Sequence, residues 1–320
     1  MKFNLTMTLK EKIERLKRER RAVILAHYYT EGEVQDVADF VGDSLALSQR
    51  AATTDAEVIL FAGVHFMGET AKILSPQKTV LLPDLAAGCS LADSCRAEDL
   101  AAFIDRHPGH TVISYVNTTA EVKALTDIVC TSSNAVQIVE SLPPDEPIIF
   151  GPDRNLGNYI KNITGRENML IWDGACHVHE EFSLDKILAL KAEHPQAKIL
   201  AHPECKRPII LVSDYVGSTA GLLKFAVEDT STDTYIVVTE PGVLHQMRRA
   251  APSKRFIPAP PTDSTCGCNN CNYMKLVTLQ KMADALERLE PQIIIPEEVR
   301  VRAERSIRRM LEISQRLGLV

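Results

Sequence analysis

The stretch Val23-Ile24-Leu25-Ala26-His27 is a short apolar run that ends on a polar side chain, and it recurs twice in similar form. The second copy is Val112-Ile113-Ser114-Tyr115, and the third is Ile199-Leu200-Ala201-His202. Apolar runs of this kind without alternation are typical of parallel strands that are covered by helices on both faces. Ligands of such sheets gather at the carboxyl ends of the strands, which is where the polar residue of each copy stands.

Each copy continues in the same way after its strand. A small hydroxyl residue follows 17 positions after the strand-end residue, and a cysteine follows after a further apolar run. The hydroxyl residues are Ser44, Ser132 and Thr219, and the cysteines are Cys89, Cys176 and Cys271. Because each copy has the pattern strand, helix, strand, helix, strand, the sequence predicts right-handed crossovers within α/β layers.

We therefore predict an α/β protein of three pseudo-symmetric three-layer αβα domains around a central cluster site. The first domain, with an N-terminal helix, is expected at residues 1–106, the second at 107–193 and the third at 194–275. Residues 276–320 are expected to form C-terminal helices that pack on the repeats. A chain of 320 residues has the length of two or three domains.

Composition and charge narrow the classes of function. A net charge of -6 argues against a nucleic-acid partner, whose phosphates favour a basic surface. The sequence shows neither a signal-peptide apolar region nor an apolar stretch near the roughly 20 residues that span a bilayer. Eight cysteines are too few and too scattered for a secreted disulfide scaffold, so we expect free thiols in the cytoplasm.

Three thiolates, one from each copy, can bind zinc or an iron–sulfur cluster. Only Cys268-Asn269-Asn270-Cys271 has the C-x2-C spacing of a zinc ribbon, and Cys89 and Cys176 stand without a matching pair. A cluster with three cysteine ligands leaves one iron open to act as a Lewis acid. Spacing alone does not separate such a cluster from a three-cysteine zinc site with bound water, or from ordinary buried cysteines.

The other cysteines have no counterparts at equivalent positions of the repeat. Cys95, Cys130 and Cys205 are predicted to be small buried apolar residues. Cys266 and Cys268 lie beside Cys271, where they could compete for metal or form a disulfide.

The hydroxyl residue of each copy is predicted to stand where a loop becomes a helix. Ordinary N-capping explains any one such hydroxyl. Three helix N-termini directed at one centre would instead bind an anion, because their free N–H groups and dipoles face it. Carboxylates or a phosphate on the substrate would fit that centre.

Polar residues also stand two positions beyond each strand end, at Tyr29, Asn117 and Glu204. Together with the strand-end histidines they can move protons and hold oxyanions, although each one alone is more often a satisfied structural polar group. His177 and His179, close to Cys176, either support a metal ligand or lie at the surface.

Nine motifs occur in order over about residues 20–280. They are Ala26-His27-Tyr28-Tyr29, Gly42-Asp43-Ser44, Gly88-Cys89-Ser90-Leu91-Ala92-Asp93, Tyr115-Val116-Asn117, Cys130-Thr131-Ser132-Ser133-Asn134, Gly151-Pro152-Asp153-Arg154-Asn155-Leu156-Gly157, Cys176-His177-Val178-His179, His202-Pro203-Glu204-Cys205 and Gly217-Ser218-Thr219. As a set they resemble the quinolinate synthase family.

This resemblance implies an oxygen-sensitive [4Fe–4S] cluster with three cysteine ligands and one open iron. The implied reaction is a transferase reaction, in which iminoaspartate and dihydroxyacetone phosphate condense, lose water and cyclise to quinolinate and phosphate. It belongs to de novo NAD biosynthesis, so a functional link to the enzyme that makes iminoaspartate is expected.

The resemblance also assigns roles to residues. The implied metal ligands are Cys89, Cys176 and Cys271. The implied substrate-binding residues are His27, Ser44, Tyr115, Asn117, Ser132, His202, Glu204 and Thr219. The implied catalytic residues are Glu204, Tyr29 and His202.

One departure concerns the last ligand, because some members of the family carry a C-x2-C-x2-C run where this chain has Cys266-x-Cys268-x2-Cys271. Two other functions stay open. One is an iron–sulfur hydro-lyase that acts on a small hydroxy acid. The other is a zinc-clamped protein that binds a small anion without catalysis.

Overall fold

The computed structural model describes residues 7–263, 265, 267 and 269–319, and the chain divides into two compact units. Unit one comprises residues 1–88 and 272–295, and unit two comprises residues 89–271 and 296–320. The described residues form three parallel four-stranded sheets flanked by helices, which confirms the predicted α/β class. The four predicted domains stay a prediction. Within the described part of the chain, no helix has the length and apolar character needed to cross a membrane.

Unit one contains one sheet and its helices. Its elements are α1 (Leu9–Glu19), β1 (Ala22–His27), α2 (Gly32–Val37), β2 (Phe40–Gly42), α3 (Ser44–Thr53), β3 (Val58–Ala62), α4 (His65–Leu74), β4 (Thr79–Leu81), a 3-10 turn (Met274–Leu276) and α15 (Leu279–Arg288). Helix α1 begins with a capping box between Thr8 and Glu11. Its buried residues Ile13 and Leu16 join the core that the sheet and α15 form.

The first half of unit two runs from Cys89 through the second sheet. Its elements are α5 (Ser90–Asp93), α6 (Ala97–Arg106), β5 (Thr111–Tyr115), α7 (Ala120–Lys123), β6 (Ile128–Cys130), α8 (Ala135–Glu140), β7 (Ile148–Gly151), α9 (Arg154–Thr164) and β8 (Met169–Ile171).

The second half of unit two contains the third sheet and the C-terminal helix. Its elements are α10 (His177–Glu180), α11 (Leu184–Glu193), β9 (Lys198–Ala201), α12 (Arg207–Val212), β10 (Tyr215–Val216), α13 (Thr219–Glu228), β11 (Thr234–Val238), α14 (Val243–Ala250), β12 (Arg255–Pro258) and α16 (Glu297–Arg316). Helix α16 packs against α7 and β6.

All three sheets have the same strand order. They are β2-β1-β3-β4, β6-β5-β7-β8 and β10-β9-β11-β12. The sequence pattern predicts three strands in each copy and misses the edge strands β2, β6 and β10. These strands have only two or three residues. They form because the neighbouring strand offers a ladder of free N–H and C=O groups.

In each sheet, one aspartate makes the same pair of hydrogen bonds to the backbone of the first strand of the copy. Asp39, Asp127 and Asp214 each accept the backbone N–H of a residue 15 positions earlier, and each of the three hydrogen bonds measures 2.8 Å. The donors are Ile24, Val112 and Ile199. The carbonyl oxygen of each donor residue in turn accepts a hydrogen bond from the backbone N–H of the same aspartate. This shared contact supports the repeat that the sequence predicts.

We expect Asp214→Ala to destabilise unit two by about 1 kcal/mol, because the N–H of Ile199 would lose its carboxylate partner. The urea midpoint of unfolding measures the change. Asp145 is a suitable control, because it is exposed and no side-chain hydrogen bond is found for it. Equal midpoints for Asp214→Ala and Asp145→Ala would contradict a stabilising role for this contact.

Candidate active site

Unit two carries all three candidate cysteines together with the strand ends of two sheets. Strand β5 ends at Tyr115, and β9 ends one residue before His202. Because parallel strands deliver their carboxyl ends to one edge, polar groups that follow them are placed where a ligand can reach several at once.

The three cysteine thiols lie close enough for their charges to interact. Burial raises the pKa of Cys89 to about 12, and negative charge on Cys271 and Glu204 acts in the same direction. Burial, followed by Glu204 and Cys89, also raises the pKa of Cys176 well above its ordinary value. Three thiolates at this place therefore need a positive centre to balance them.

Buried carboxylates hold the backbone of two of these cysteines. Cys176 N donates to Asp153 Oδ2 at 3.2 Å, and Cys271 N donates to Glu240 Oε1 at 3.3 Å. Asp153 and Glu240 are both fully buried. Asp153 follows β7, which lies beside β5, and Glu240 follows β11, which lies beside β9. The sheets therefore fix the backbone positions of the two cysteines.

The backbone two residues before Cys176 can accommodate only a glycine. Gly174 N donates to Pro152 O at 3.1 Å, and Arg154 N donates to Gly174 O at 2.8 Å. A Cβ at position 174 would lie 2.5 Å from Pro152 O and would overlap Ser94 Oγ. Any larger residue would therefore push the backbone away two positions before Cys176.

Glu204 is the most constrained acid of the site, with 3 % of its surface exposed. Its Oε2 lies 2.9 Å from His179 Nδ1 and 3.3 Å from His202 Nδ1. Burial by itself would raise the pKa of Glu204, but the two imidazoles outweigh burial and hold the pKa below its ordinary value. Its other oxygen, Oε1, is buried and has no hydrogen-bond partner among the described residues.

A close group of ligand atoms surrounds this acid. One potential ligand atom each from Cys176, His179 and Glu204 lies within 4.8 Å of the other two. These three side chains could therefore hold one metal ion.

His179 is part of the site, whereas the sequence leaves it open between metal support and the surface. Only 1 % of it is exposed, its ring stacks on that of His202 at 4.8 Å, and its Nε2 lies 3.0 Å from Thr239 Oγ1. The signal in the sequence is its position one helical turn after Cys176. His177 Nδ1 lies 2.7 Å from Ser90 Oγ. This hydrogen bond joins the first residue of α10 to the first residue of α5.

His202 connects the acid to Ser132. Its Nδ1 lies 3.4 Å from Glu204 N as well as 3.3 Å from Glu204 Oε2, and its Nε2 lies 3.1 Å from Ser132 Oγ. The prediction that Ser132 begins a helix is wrong, because α8 starts at Ala135. Asn134 Oδ1 accepts Thr131 N at 2.7 Å, and this bond holds a turn ahead of the helix.

The other two hydroxyl residues do begin helices, but neither one caps its helix. Asp43 accepts Ala46 N ahead of Ser44, and Ser218 accepts Gly221 N ahead of Thr219. N-capping therefore does not explain why these two positions carry hydroxyls. Thr219 is buried at the first turn of α13.

Tyr115 and Asn117 stand at the end of β5. Tyr115 is buried, and the side-chain oxygen of Asn117 is buried with no hydrogen-bond partner in the described part of the chain. An amide oxygen in this state is available to a ligand that donates a hydrogen bond.

Unit one holds His27, Tyr29 and Ser44. The rings of His27 and Tyr29 meet edge to face with centroids 4.6 Å apart, and Tyr29 N donates to His27 Nδ1 at 3.2 Å. Lys275 Nζ donates to Tyr29 O at 2.9 Å.

The remaining cysteines separate into two sets. Cys95, Cys130 and Cys205 are free and buried, as predicted. Cys266 and Cys268 lie outside the described residues.

Comparison with known proteins identifies the family. The family model described as "NadA: Quinolinate synthetase A protein" matches residues 11–312. Quinolinate synthase from Synechococcus sp. is 59% identical over 302 residues, which cover 94% of each chain. Quinolinate synthase from Thermosynechococcus vestitus is 58% identical over 310 residues and 97% of each chain, and that from Synechocystis sp. is 58% identical over 302 residues and 94% of each chain. The chain belongs to the quinolinate synthase family.

The quinolinate synthase family implies an iron–sulfur cofactor, and the residues of unit two fit one. Buried thiols that interact through charge are the ligands that such cofactors use. Oε1 of Glu204, which has no hydrogen-bond partner in the described part of the chain, adds an oxygen that a metal or its ligand can satisfy.

We expect Gly174→Ala to lower the iron that the protein retains, because the added Cβ would displace the backbone before Cys176. Gly88→Ala is the matched control, since it lies one residue before Cys89 and its Cβ would meet its nearest neighbour at an ordinary 3.5 Å. Iron per chain after anaerobic reconstitution measures both variants. Equal iron in the two would show that the approach at Gly174 does not govern ligation.

Proposed function

We propose that this protein makes quinolinate from iminoaspartate and dihydroxyacetone phosphate, with release of phosphate and water, in de novo NAD biosynthesis. The observation that carries the proposal is the buried Glu204, which groups with Cys176 and His179. Its Oε2 lies beside two histidines, and its Oε1 has no hydrogen-bond partner among the described residues. A buried acid that is free on one oxygen and held on the other can exchange a proton with a bound substrate. The names of the relatives support the same activity.

We propose Cys89, Cys176 and Cys271 as the ligands of a [4Fe–4S] cluster. The family and the mutual effect of the three buried thiols on their pKa values support one shared centre. When bound, a cluster with one iron free of cysteine supplies a Lewis acid.

The hydroxyl residues and their backbone would hold the anionic groups of the substrates. In unit two these residues are Ser132, in the turn before α8, and Thr219, at the first turn of α13. Thr219 stands where the N–H groups and the dipole of α13 favour negative charge. Ser44 holds the same position on α3 of unit one.

Glu204 and His202 would share the proton transfers of enolisation and dehydration. Glu204 Oε1 is the atom that would take and return the proton, while Oε2 stays beside His179 Nδ1. His202 would donate from Nε2 through the position of Ser132 Oγ. Tyr115 and the open amide oxygen of Asn117 would orient the ring-forming atoms.

Tyr29 would assist as a further acid or base, and His27 would orient it. This pair rests on the family resemblance and on its own edge-to-face contact. Cytoplasmic localisation and a link to the enzyme that makes iminoaspartate stay predictions from the sequence.

A pseudo-symmetric arrangement of the three repeats also belongs to the proposal. The common strand order and the common aspartate contact of Asp39, Asp127 and Asp214 support it.

One observation favours a second candidate, a protein that binds a single zinc ion. The atoms of Cys176, His179 and Glu204 have the close spacing that one ion needs. Metal analysis of anaerobically purified protein separates the two, since zinc without iron would favour the single-ion site.

We expect the anaerobically purified protein to form quinolinate and phosphate from iminoaspartate and dihydroxyacetone phosphate. Glu204→Gln should retain the visible absorption of the cluster and lose at least about a hundredfold in turnover, because the amide cannot accept the proton. Exposed Glu193→Gln is the control and should match the parent protein. Full turnover by Glu204→Gln would remove Glu204 from the chemistry, and no quinolinate from intact protein would reject the function.

We expect Cys176→Ala to lose the visible absorption of the cluster, because one of three thiolate ligands is removed. Cys95→Ala should retain it, since Cys95 is buried among apolar neighbours such as Leu100 and Val112. Absorption spectra and iron content of the two variants measure the difference. A full cluster in Cys176→Ala would mean that the ligand set is wrong.

A further inference from the structure

Lys123 is a fully buried lysine for which the mechanism above has no use. Burying an ammonium group costs free energy unless its N–H donors are paired, so the partners of Lys123 indicate its role. Lys123 Nζ donates to Val116 O at 2.8 Å and to Thr118 O in a short hydrogen bond. These two carbonyls lie on either side of Asn117.

The segment that Lys123 holds is a tight turn with Asn117 at its centre. Thr118 N donates to Val116 O at 2.8 Å, and Thr118 Oγ1 donates to Tyr115 O at 3.1 Å. Val116 O therefore accepts from both Thr118 N and Lys123 Nζ. The two bonds that Val116 O accepts, from Lys123 Nζ and Thr118 N, fix the two peptide planes that flank Asn117. The bond to Thr118 O fixes the next plane, so together they fix the direction of the Asn117 Cα–Cβ bond.

Unit one contains the same contact made by a neutral amide. Gln35 Nε2 donates to Tyr28 O at 2.9 Å and to Thr30 O at 2.8 Å, and Gln35 is buried. Gln35, Tyr28 and Thr30 each lie 88 residues before Lys123, Val116 and Thr118 in that order. The chain itself thus shows that an amide can make both hydrogen bonds without a charge.

Helix α16 contacts the backbone of Lys123. Ser306 Oγ lies 3.0 Å from Lys123 O, and Ser306 is fully buried. Eight residues further along the same helix, Ser314 Oγ accepts Asn134 Nδ2 at 2.9 Å, next to the turn that carries Ser132. The C-terminal helix therefore supports both loops that are proposed to meet the substrate.

We propose that Lys123 is a positioning residue that sets Asn117 and Tyr115 for substrate binding through its two hydrogen bonds to the turn. The inference rests on the proposed role of Asn117 in the substrate site. It assigns the effect to hydrogen bonding and not to the charge of the ammonium, because Gln35 builds the same contact.

The test compares Lys123→Met with Lys123→Gln. Met has a similar length and no donor, so both carbonyls lose a partner, and we expect KM for the substrates to rise about tenfold while the cluster absorption per chain is retained. Gln restores the donors, and we expect it to recover most of that loss. Titration of each substrate at a saturating level of the other measures KM and kcat separately.

Asn117→Ala is the reference variant for this test. If Asn117→Ala binds the substrates normally, the proposed role of the loop fails together with the inference. If Asn117→Ala is impaired and Lys123→Met is not, only the inference fails. A fall in kcat with an unchanged KM in Lys123→Met would point to a loss of active protein and would overturn the positioning role, as would a Gln variant as impaired as Met.

A gentler variant covers the case in which Lys123→Met does not keep its cluster. Ser306→Ala removes the hydroxyl beside Lys123 O and leaves the ammonium in place. We expect KM to rise in the same direction, by about threefold, with the cluster intact. An unchanged KM in Ser306→Ala would overturn the inference.

Discussion

The burial of negative charge is the constraint on which the site depends. The thiols of Cys89, Cys176 and Cys271 and the carboxyl group of Glu204 raise one another's cost of ionisation, and burial adds to that cost. Several buried acids can be ionised together only if nearby positive charge offsets their repulsion and the cost of burial. Imidazoles of His179 and His202 offset Glu204, and a metal centre would offset the thiolates.

The fold brings these groups together by a simple geometric rule. Parallel strands end at one edge of each sheet, so the residues just after β5, β9 and β11 are placed there without any special loop. Buried acids that follow β7 and β11 then hold the backbone of Cys176 and Cys271. The cysteines themselves can come from distant parts of the sequence because the sheets, and not their own loops, fix them.

The sequence predicts a large part of this arrangement and misses some of it for physical reasons. Apolar runs that end on His27 or His202 are strong signals, because a covered parallel strand needs an uninterrupted apolar stretch. The pattern misses strands β2, β6 and β10, which have two or three residues each and form at the sheet edge by pairing with the first strand of each copy. The side-chain bond from Asn134 that delays α8 beyond Ser132, and the burial of His179, arise from tertiary contacts that the pattern of residue types does not encode.

The most direct test of the central claim is a Mössbauer spectrum of the protein loaded with iron-57 under anaerobic conditions. Three cysteine ligands on a four-iron cluster leave one iron in a different environment, and that iron should respond when substrate or quinolinate is added. We expect about one quarter of the iron signal to shift while the rest stays unchanged. Four equivalent irons that ignore the substrate, or zinc in place of iron, would contradict a cluster held by Cys89, Cys176 and Cys271.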